Sequence, residues 1–253
     1  MNSAENASPF WTCQERRALL SVGGLSATLS LDEPQQGLQP ANRAATRLPA
    51  ILQIGFDGDA SGRIAPSDVY IRGRDLIATY ERSAARPFRL QIYWSALPPA
   101  RRDVLGGVEL ILSVQTDLLE SVSELRLQSE VAAACVRQLV DPAAARFIAF
   151  DPAKPSAAAP PPAGLGCFLC APADANSDLP SYVEMIHPSD FRTAAHAAHG
   201  KRFLQNRLFA QRLEKGVILR SRVRAYYLAG SDVERTAAEL YLEFTESEPP
   251  LTA

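Results

Sequence analysis

The stretch RPFRLQIYWSAL, residues 86–97, alternates apolar and polar side chains from Phe88 to Ala96. Successive side chains of a β-strand point to opposite faces, so this pattern predicts a strand with one buried face and one polar face. Trp94 belongs to the apolar face and Tyr93 to the polar face. Pro98 and Pro99 end the strand, because proline offers no backbone donor to a sheet.

The same alternation recurs along most of the chain and predicts a protein built mainly from strands. Residues 25–31, LSATLSL, alternate without a fault, and Gly106 and Gly107 open a second regular segment at 108–116. Because the strands follow one another with few helices between them, the sequence excludes a doubly wound α/β fold. Further strands are predicted at 50–56, 69–72, 76–82, 147–150, 167–171, 181–187, 217–228 and 238–245.

Helical spacing of apolar residues predicts a few short helices as well. The apolar residues of 118–140 fit both the two-residue period of a strand and the 3.6-residue period of a helix. We expect a strand there, followed by a short helix after Glu130. Ser189 is expected to cap a helix over 191–199, since a serine hydroxyl accepts hydrogen bonds from the first amides of a helix. Another helix is expected over 201–213.

The predicted elements, about ten to twelve strands, fit a large antiparallel two-sheet β-sandwich with a few short helices. In size and strand content this sandwich resembles the extended supersandwich class that many sugar-handling proteins use, and the resemblance concerns the fold. We expect one domain over residues 1–253, in which the proline- and alanine-rich residues 152–165 form an exposed loop. The alternative is a domain boundary at that segment, between 1–151 and 166–253.

Composition limits the classes of protein that the chain can belong to. Its 253 residues are 47% apolar and 21% charged, which suits a folded core, and the net charge of −2 gives no field that attracts nucleic acid or an anionic membrane. No stretch approaches the roughly 18 apolar residues of a membrane span, and no secretory leader is recognisable. We therefore expect a soluble, cytoplasmic protein with reduced cysteines. Nucleotide-binding glycine motifs do not occur, so no cofactor is expected, and the sequence leaves the oligomeric state open.

A row of arginines dominates the predicted strand 217–228. Alternation places its basic side chains on one face at about 6.5–7 Å intervals. Residues 201–224 carry eight basic groups and one acid, whereas residues 231–248 carry six acids and one base. The strand predicted at 238–245 would place two carboxylates opposite the row. The residues of this predicted face are Arg220, Arg222, Arg224, Tyr226, Glu239 and Glu243.

Two interpretations of this face stay open. It can be an ordinary hairpin surface with cross-strand Arg–Glu pairs, each worth roughly 0.2–1 kcal/mol. It can instead be a concave sheet face that binds a carbohydrate or an anionic small molecule, because guanidinium forks suit carboxylates, phosphates and paired hydroxyls. In that case Tyr93 is the aromatic side chain on the polar face that can stack against a ligand.

A second group of polar residues lies in the sequence YVEMIHPSD, residues 182–190. Glu184 and His187 are candidate catalytic residues, since a carboxylate base and an imidazole acid are what a mutarotase-type sugar epimerase needs. Alternation places these two side chains on opposite faces of the strand, which argues against direct partnership. Glu243 is an alternative base and His196 an alternative acid.

No metal site is predicted. Cys167 and Cys170 form a CxxC motif, but His196 and His199 are three residues apart and do not complete a zinc-finger spacing. Residues 57–62, DGDASG, begin like a calcium loop without its final glutamate, and they are expected to form a hairpin turn.

The sequence therefore supports three classes of function. The first is binding of a carbohydrate or another polar small ligand on the arginine-rich face. The second is sugar epimerisation, and the third is a structural or partner-binding domain that takes no small ligand. Which of these applies depends on what the Arg220–Arg224 row meets in the folded protein.

Overall fold

The computed structural model of the protein describes residues 9–42, 46–56, 63–131, 135–150, 165–172, 178–191, 194–198, 202–209 and 211–248. Strands form most of the described chain, and a single α-helix lies at its end. The strands are β1 (Trp11–Gln14), β2 (Arg17–Val22), β3 (Leu25–Ser30), β4 (Leu38–Asn42), β5 (Gln53–Phe56), β6 (Asp68–Arg72), β7 (Asp75–Tyr80), β8 (Arg89–Leu97), β9 (Val104–Gln115), β10 (Glu120–Val122), β11 (Leu125–Glu130), β12 (Cys135–Asp141), β13 (Arg146–Ala149), β14 (Gly166–Ala171), β15 (Ser181–Ile186), β16 (Ala194–Ala198), β17 (Arg202–Leu208), β18 (Arg212–Glu214) and β19 (Ile218–Leu228); a 3-10 turn spans Pro34–Gln36, and helix α1 spans Val233–Glu246.

Antiparallel pairing joins these strands into one large sheet and several smaller ones. The large sheet has nine strands in the order β13-β12-β14-β15-β19-β9-β8-β7-β6. Two four-stranded sheets have the orders β1-β2-β3-β4 and β16-β17-β11-β5, and β10 pairs with β18 in a short ribbon. The predicted fold class, a mainly antiparallel β-sandwich, is confirmed.

The main core lies between the nine-stranded sheet and the two four-stranded sheets. Trp94 of β8 packs in it with Trp11 of β1 and Leu127 of β11. In β3 the apolar side chains are buried and Ser26 and Thr28 are exposed, as the alternation predicts. We call the face of the nine-stranded sheet that carries this core the inner face, and the opposite one the outer face.

Helix α1 covers part of the outer face. Phe244 and Tyr241 of the helix pack with Val183 and Met185 of β15 and with Leu169 of β14. The predicted strand at 238–245 is therefore wrong. Apolar residues do alternate there, but Leu242 is 38% exposed, and burial instead follows the helical spacing of Ala237, Ala238, Tyr241 and Phe244.

The predicted helices are strands in the structure. Residues 135–141 form β12, which pairs with β13 and β14, and residues 194–198 form β16. Within 201–213 lie β17 and the first two residues of β18, and Ser189 lies in a turn rather than at the start of a helix. Strand partners that are distant in sequence bury these segments, and such pairing overrides weak local helix preference.

Strands from both sides of residues 152–165 pair with each other, since β12 pairs with β14 and β9 with β19. The proline-rich segment itself lies outside the described residues, and so does the turn predicted at 57–62. In the part of the chain that the structure describes, no helix is long and apolar enough to cross a membrane.

Candidate functional site

The three arginines share one face of β19, as predicted, and this is the outer face of the nine-stranded sheet. Arg220, Arg222 and Arg224 stand opposite Ser113, Ile111 and Glu109 of β9 in the strand register. Cross-strand partners on one face of an antiparallel pair lie side by side. The carboxylate that meets the row therefore comes from β9.

Arg222 and Glu109 form a buried ion pair. Each side chain is 6% exposed, and Nη2 of Arg222 lies 2.8 Å from Oε1 of Glu109. Arg222 also donates from Nη1 to the carbonyl oxygen of Ser247 and from Nη2 to its Oγ, both at 2.9 Å. Ser247 is the C-cap of α1, where a cation is favourable to the helix dipole. Arg222 thus attaches the helix end to the sheet.

Arg224 takes part in the same arrangement. Its Nη2 lies 3.2 Å from Oε2 of Glu109, and its guanidinium carbon lies 4.5 Å from the centre of the Phe244 ring. A cation over an aromatic face is attracted by the ring quadrupole. Two of the three arginines therefore hold α1 against the sheet, with Glu109 shared between them.

Tyr226 is buried beside this pair. Its ring lies against Gly107, where an added Cβ would come 2.5 Å from Cδ1 of Tyr226 and 2.6 Å from the carbonyl oxygen of Ala225. Burial is the main cause that raises the pKa of the Tyr226 hydroxyl. A side chain at position 107 would collide with this ring, so only glycine fits opposite Tyr226.

Substituting Gly107→Ala is expected to lower the free energy of unfolding by about 1–3 kcal/mol, because the ring and the backbone must move apart. Urea unfolding of both proteins measures the difference. Gly55→Ala in β5 is the matched control, since its added Cβ would meet its nearest neighbour at an ordinary 3.6 Å. Equal effects of the two substitutions would contradict this account.

Glu239 and Glu243 do not lie opposite the arginine row. Both project from α1, one turn apart, and both accept hydrogen bonds from Arg101. Glu239 also accepts a hydrogen bond of 2.9 Å from Nε of Arg235. The predicted cross-strand pairing of these glutamates with β19 is wrong, because residues 238–245 are helical.

A more exposed group of polar side chains lies further along the outer face, on β6 to β9 and on β19. Arg72 and Arg220 are exposed, Tyr70 is 40% exposed, and Tyr93 lies among them at 7% exposure. The Tyr93 hydroxyl donates to Oε1 of Gln91 at 2.8 Å. We call this group the open face; its members are Tyr70, Arg72, Asp75, Gln91, Tyr93, Ser113 and Arg220, and the strand register places them on the same face of five neighbouring strands.

Electrostatics links the members of the open face. Burial is the largest cause that raises the pKa of Tyr93, and the neighbouring Tyr70 raises it further. The positive charges of Arg72 and Arg220 act in the opposite direction. Tyr93 is therefore the buried member of the group, whereas the ring of Tyr70 is exposed to solvent.

Sequence reasoning identified Tyr93 and Arg220 but missed Tyr70 and Arg72. The strand predicted at 69–72 held the necessary signal, because alternation places Tyr70 and Arg72 on one face. Their neighbours could not be inferred, since the register of β6 with β7 and β8 is a property of the folded sheet.

Glu184 is fully buried on the inner face, between the sheets. Its Oε2 accepts hydrogen bonds from Ser129 Oγ at 2.5 Å and from the Tyr182 hydroxyl at 2.7 Å, and its Oε1 accepts one from Asn206 Nδ2 at 2.8 Å. Removal from water raises the pKa of this carboxyl, and the three donors partly offset that shift. The network joins β15 of the nine-stranded sheet to β11 and β17 of a four-stranded sheet.

His187 lies on the other side of the sheet from Glu184. Its ring is 5.4 Å from that of Phe244, and its Nδ1 is 2.9 Å from Ser189 Oγ. Asp190 accepts a hydrogen bond of 2.8 Å from the Arg222 amide, so these residues shape the turn after β15. Glu184 and His187 therefore share no ligand site, in agreement with the alternation of the strand.

Cys167 and Cys170 also lie on opposite faces of the nine-stranded sheet. Cys167 packs against α1 on the outer face, whereas Cys170 packs in the main core. Burial raises the pKa of the Cys167 thiol, which favours its neutral form. In the described ranges no three histidine, cysteine or acidic side chains are grouped as metal ligands. His199 and the side chain of His196 lie outside those ranges.

Comparison with known proteins identifies relatives in fold. No protein-family model matches the chain, and no curated protein matches its sequence. A candidate aldose 1-epimerase from Escherichia coli K12 has a TM-score of 0.51 and 12% identity, with 83% of this chain and 97% of that chain covered. Another, from Klebsiella pneumoniae subsp. pneumoniae, has a TM-score of 0.50 and 10% identity, with 94% and 87% covered. The chain therefore has the β-sandwich fold seen in these two structures.

Proposed function

We propose that the protein binds a carbohydrate on the open face. The observation that carries this proposal is the grouping of an exposed aromatic ring, Tyr70, with two exposed guanidinium groups, Arg72 and Arg220, around the buried Tyr93. A sugar presents a C–H face that packs on an aromatic ring and a rim of hydroxyls that accept planar hydrogen-bond donors.

Arg220 is the arginine of the row that is available for a ligand. Arg222 and Arg224 are engaged with Glu109 and with the end of α1. Arg220 is exposed, and no ion pair involves it within the described ranges. Across the strands it is followed by Ser113 and Gln91, so hydroxyl and amide groups line the approach to Tyr93.

The similarity in fold to the two structures compared above is consistent with a sugar as the class of ligand. The two structures compared above are described as candidate aldose 1-epimerases, and aldoses are sugars. A shared fold does not carry a shared reaction, so the substrate class rests on the open face itself.

Among the residues that the structure describes, the contacts favour binding over epimerisation. An epimerase of this type needs a carboxylate base and an imidazole acid at one ligand. Glu184 and His187 lie on opposite faces, and Glu243 accepts a hydrogen bond from Arg101. Glu109, near the open face, is occupied by two guanidinium groups. We therefore expect the protein to leave the rate of sugar mutarotation unchanged in polarimetry.

A thermal-shift panel of neutral sugars, uronic acids and sugar phosphates tests the proposal. A ligand at about 100 times its dissociation constant adds roughly 2.7 kcal/mol, which raises the melting temperature by several degrees. For the sugar that binds, Arg220→Ala is expected to weaken affinity about 10- to 100-fold in calorimetry, because a charge-assisted hydrogen bond is lost. The melting temperature of the free protein should stay unchanged.

Arg17→Ala is the control, since Arg17 is an exposed arginine on β2 of a different sheet. The proposal is overturned by a panel without any shift. It is also overturned if Arg220→Ala and Arg17→Ala leave the affinity equally intact, because the sugar would then bind elsewhere.

A further inference from the structure

Strand β6 is an edge of the nine-stranded sheet. It pairs with β7 on one side, and in the described part of the chain no strand pairs with its other side. Tyr70 and Ile71 are each 40% exposed, although both are large and apolar. An open strand edge with apolar side chains is a surface on which another strand can add.

The hairpin that contains β6 determines which of its backbone groups face outward. Arg72 and Asp75 are paired across the two-residue loop of Gly73 and Arg74. Such a loop closes on a hydrogen-bonded pair, and hydrogen-bonded pairs alternate with non-bonded ones along an antiparallel ladder. Asp68, Tyr70 and Arg72 therefore bond to β7. The N–H and C=O groups of Val69 and Ile71 point away from the sheet.

The sequence of β6, DVYIR, is complementary to itself in the antiparallel direction. With a two-fold axis at Tyr70, Asp68 of one copy stands opposite Arg72 of the other, and Val69 stands opposite Ile71. The outward-facing groups of Val69 and Ile71 then meet each other, and each such pair exchanges both of its hydrogen bonds. Backbone register and side-chain charge thus select the same arrangement.

Side chains add to this arrangement on the outer face. The pair at the two-fold axis, Tyr70 with Tyr70, is a non-bonded pair, in which side chains approach most closely. Aromatic pairs and opposite charges are the favourable cross-strand combinations, and here both occur. Because the dimer is two-fold symmetric, the Asp68–Arg72 pair occurs twice in each interface.

We propose that β6 pairs with β6 of a second copy of this chain, joining two nine-stranded sheets into one continuous sheet in a two-fold dimer. The proposal rests on the edge strand and is independent of sugar binding. It also has a consequence for the open face, because Tyr70 and Arg72 of both copies then lie side by side on one surface.

The test is the oligomeric state of the full chain, measured by sedimentation equilibrium over a range of protein concentrations. The wild-type protein is expected to dimerise reversibly. Arg72→Asp and Asp68→Arg each place like charges opposite each other twice in the dimer, so each is expected to raise the dissociation constant about tenfold or more. Ile71→Pro removes an outward donor without removing a bond to β7, and it should also yield monomers.

Mixing the two charge variants is the experiment that tests the proposed pairing of Asp68 with Arg72 most directly. An Arg72→Asp chain and an Asp68→Arg chain present opposite charges at both cross-strand positions, so together they are expected to form a heterodimer that is tighter than the homodimer of either variant. The double variant, Asp68→Arg with Arg72→Asp, should recover the homodimer. Arg146→Asp on β13, the opposite edge of the sheet, is the matched control and should leave the wild-type dimer intact.

Three results would overturn the proposal. The first is a wild-type monomer at every concentration, which would mean that the edge stays open or accepts a strand of another protein. The second is a dimer that none of the β6 variants weakens, which would place the interface elsewhere. The third is failure of the mixed variants to associate although each alone is folded by circular dichroism.

Discussion

Replacing Glu109 with alanine is expected to lower the free energy of unfolding by about 3–5 kcal/mol. The carboxylate and the Arg222 side chain are each 6% exposed, and Arg224 lies 3.2 Å from the second oxygen. Without Glu109, two guanidinium groups remain close together in a region with little water. Burying an uncompensated charge is far more unfavourable than losing an exposed ion pair.

Urea unfolding followed by circular dichroism measures this loss. Glu120→Ala is the matched control, because Glu120 is also a strand glutamate paired with an arginine, Arg212, but the two side chains are 51% and 80% exposed. Its substitution should change stability by about 1 kcal/mol or less. If Glu109→Ala also lowers the free energy of unfolding by only about 1 kcal/mol, Glu109 and its two arginines do not hold α1 against the sheet as described.

Replacing Glu184 with alanine is expected to lower stability by about 3–5 kcal/mol as well, and this loss should depend on pH. The substitution leaves a cavity and removes the acceptor of Ser129, Tyr182 and Asn206. These donors are buried between the sheets, and each of them loses its acceptor. Both effects act at the interface that holds the sandwich together.

The direction of the pH dependence follows from the raised pKa of Glu184. The folded state holds this proton to a higher pH than the unfolded state, whose carboxyl has the ordinary value near 4.3. The stabilising contribution is therefore complete below that value and is lost as the pH rises through the folded-state pKa. The difference in stability between wild type and Glu184→Ala should be largest in acid and should shrink toward neutral pH.

Urea titrations in steps from about pH 4 to pH 8 test this trend. Glu214→Ala is the control, since Glu214 is an exposed glutamate on β18 and its removal should alter stability little at any pH. A difference for Glu184→Ala that grows with pH would show that the carboxylate, not the acid, is the stabilised form.

Features that belong to a single strand could be predicted from the sequence. Strands β3, β8 and β19 were predicted from alternation, and so was the placement of Arg220, Arg222 and Arg224 on one face. The separation of Glu184 from His187 followed from the same rule. These features need only the two-residue period of a strand.

The C-terminal helix shows where a local pattern is insufficient. Residues 238–244 alternate well enough for a strand, but α1 begins at Val233, and its buried positions follow the helical period over the longer segment. Helix and strand periods overlap in short windows, so contact with β14 and β15 decides between them.

Partners across the sheets were decided only by tertiary structure. Arg222 meets Glu109 of β9 rather than the glutamates that follow it in the chain, and Glu184 meets Asn206 and Ser129 of another sheet. The sequence by itself determined which side chains share a face, because alternation is a property of one strand. Which faces meet, and in what register, depends on contacts between residues far apart in the chain, and these exist only once the sheets have packed.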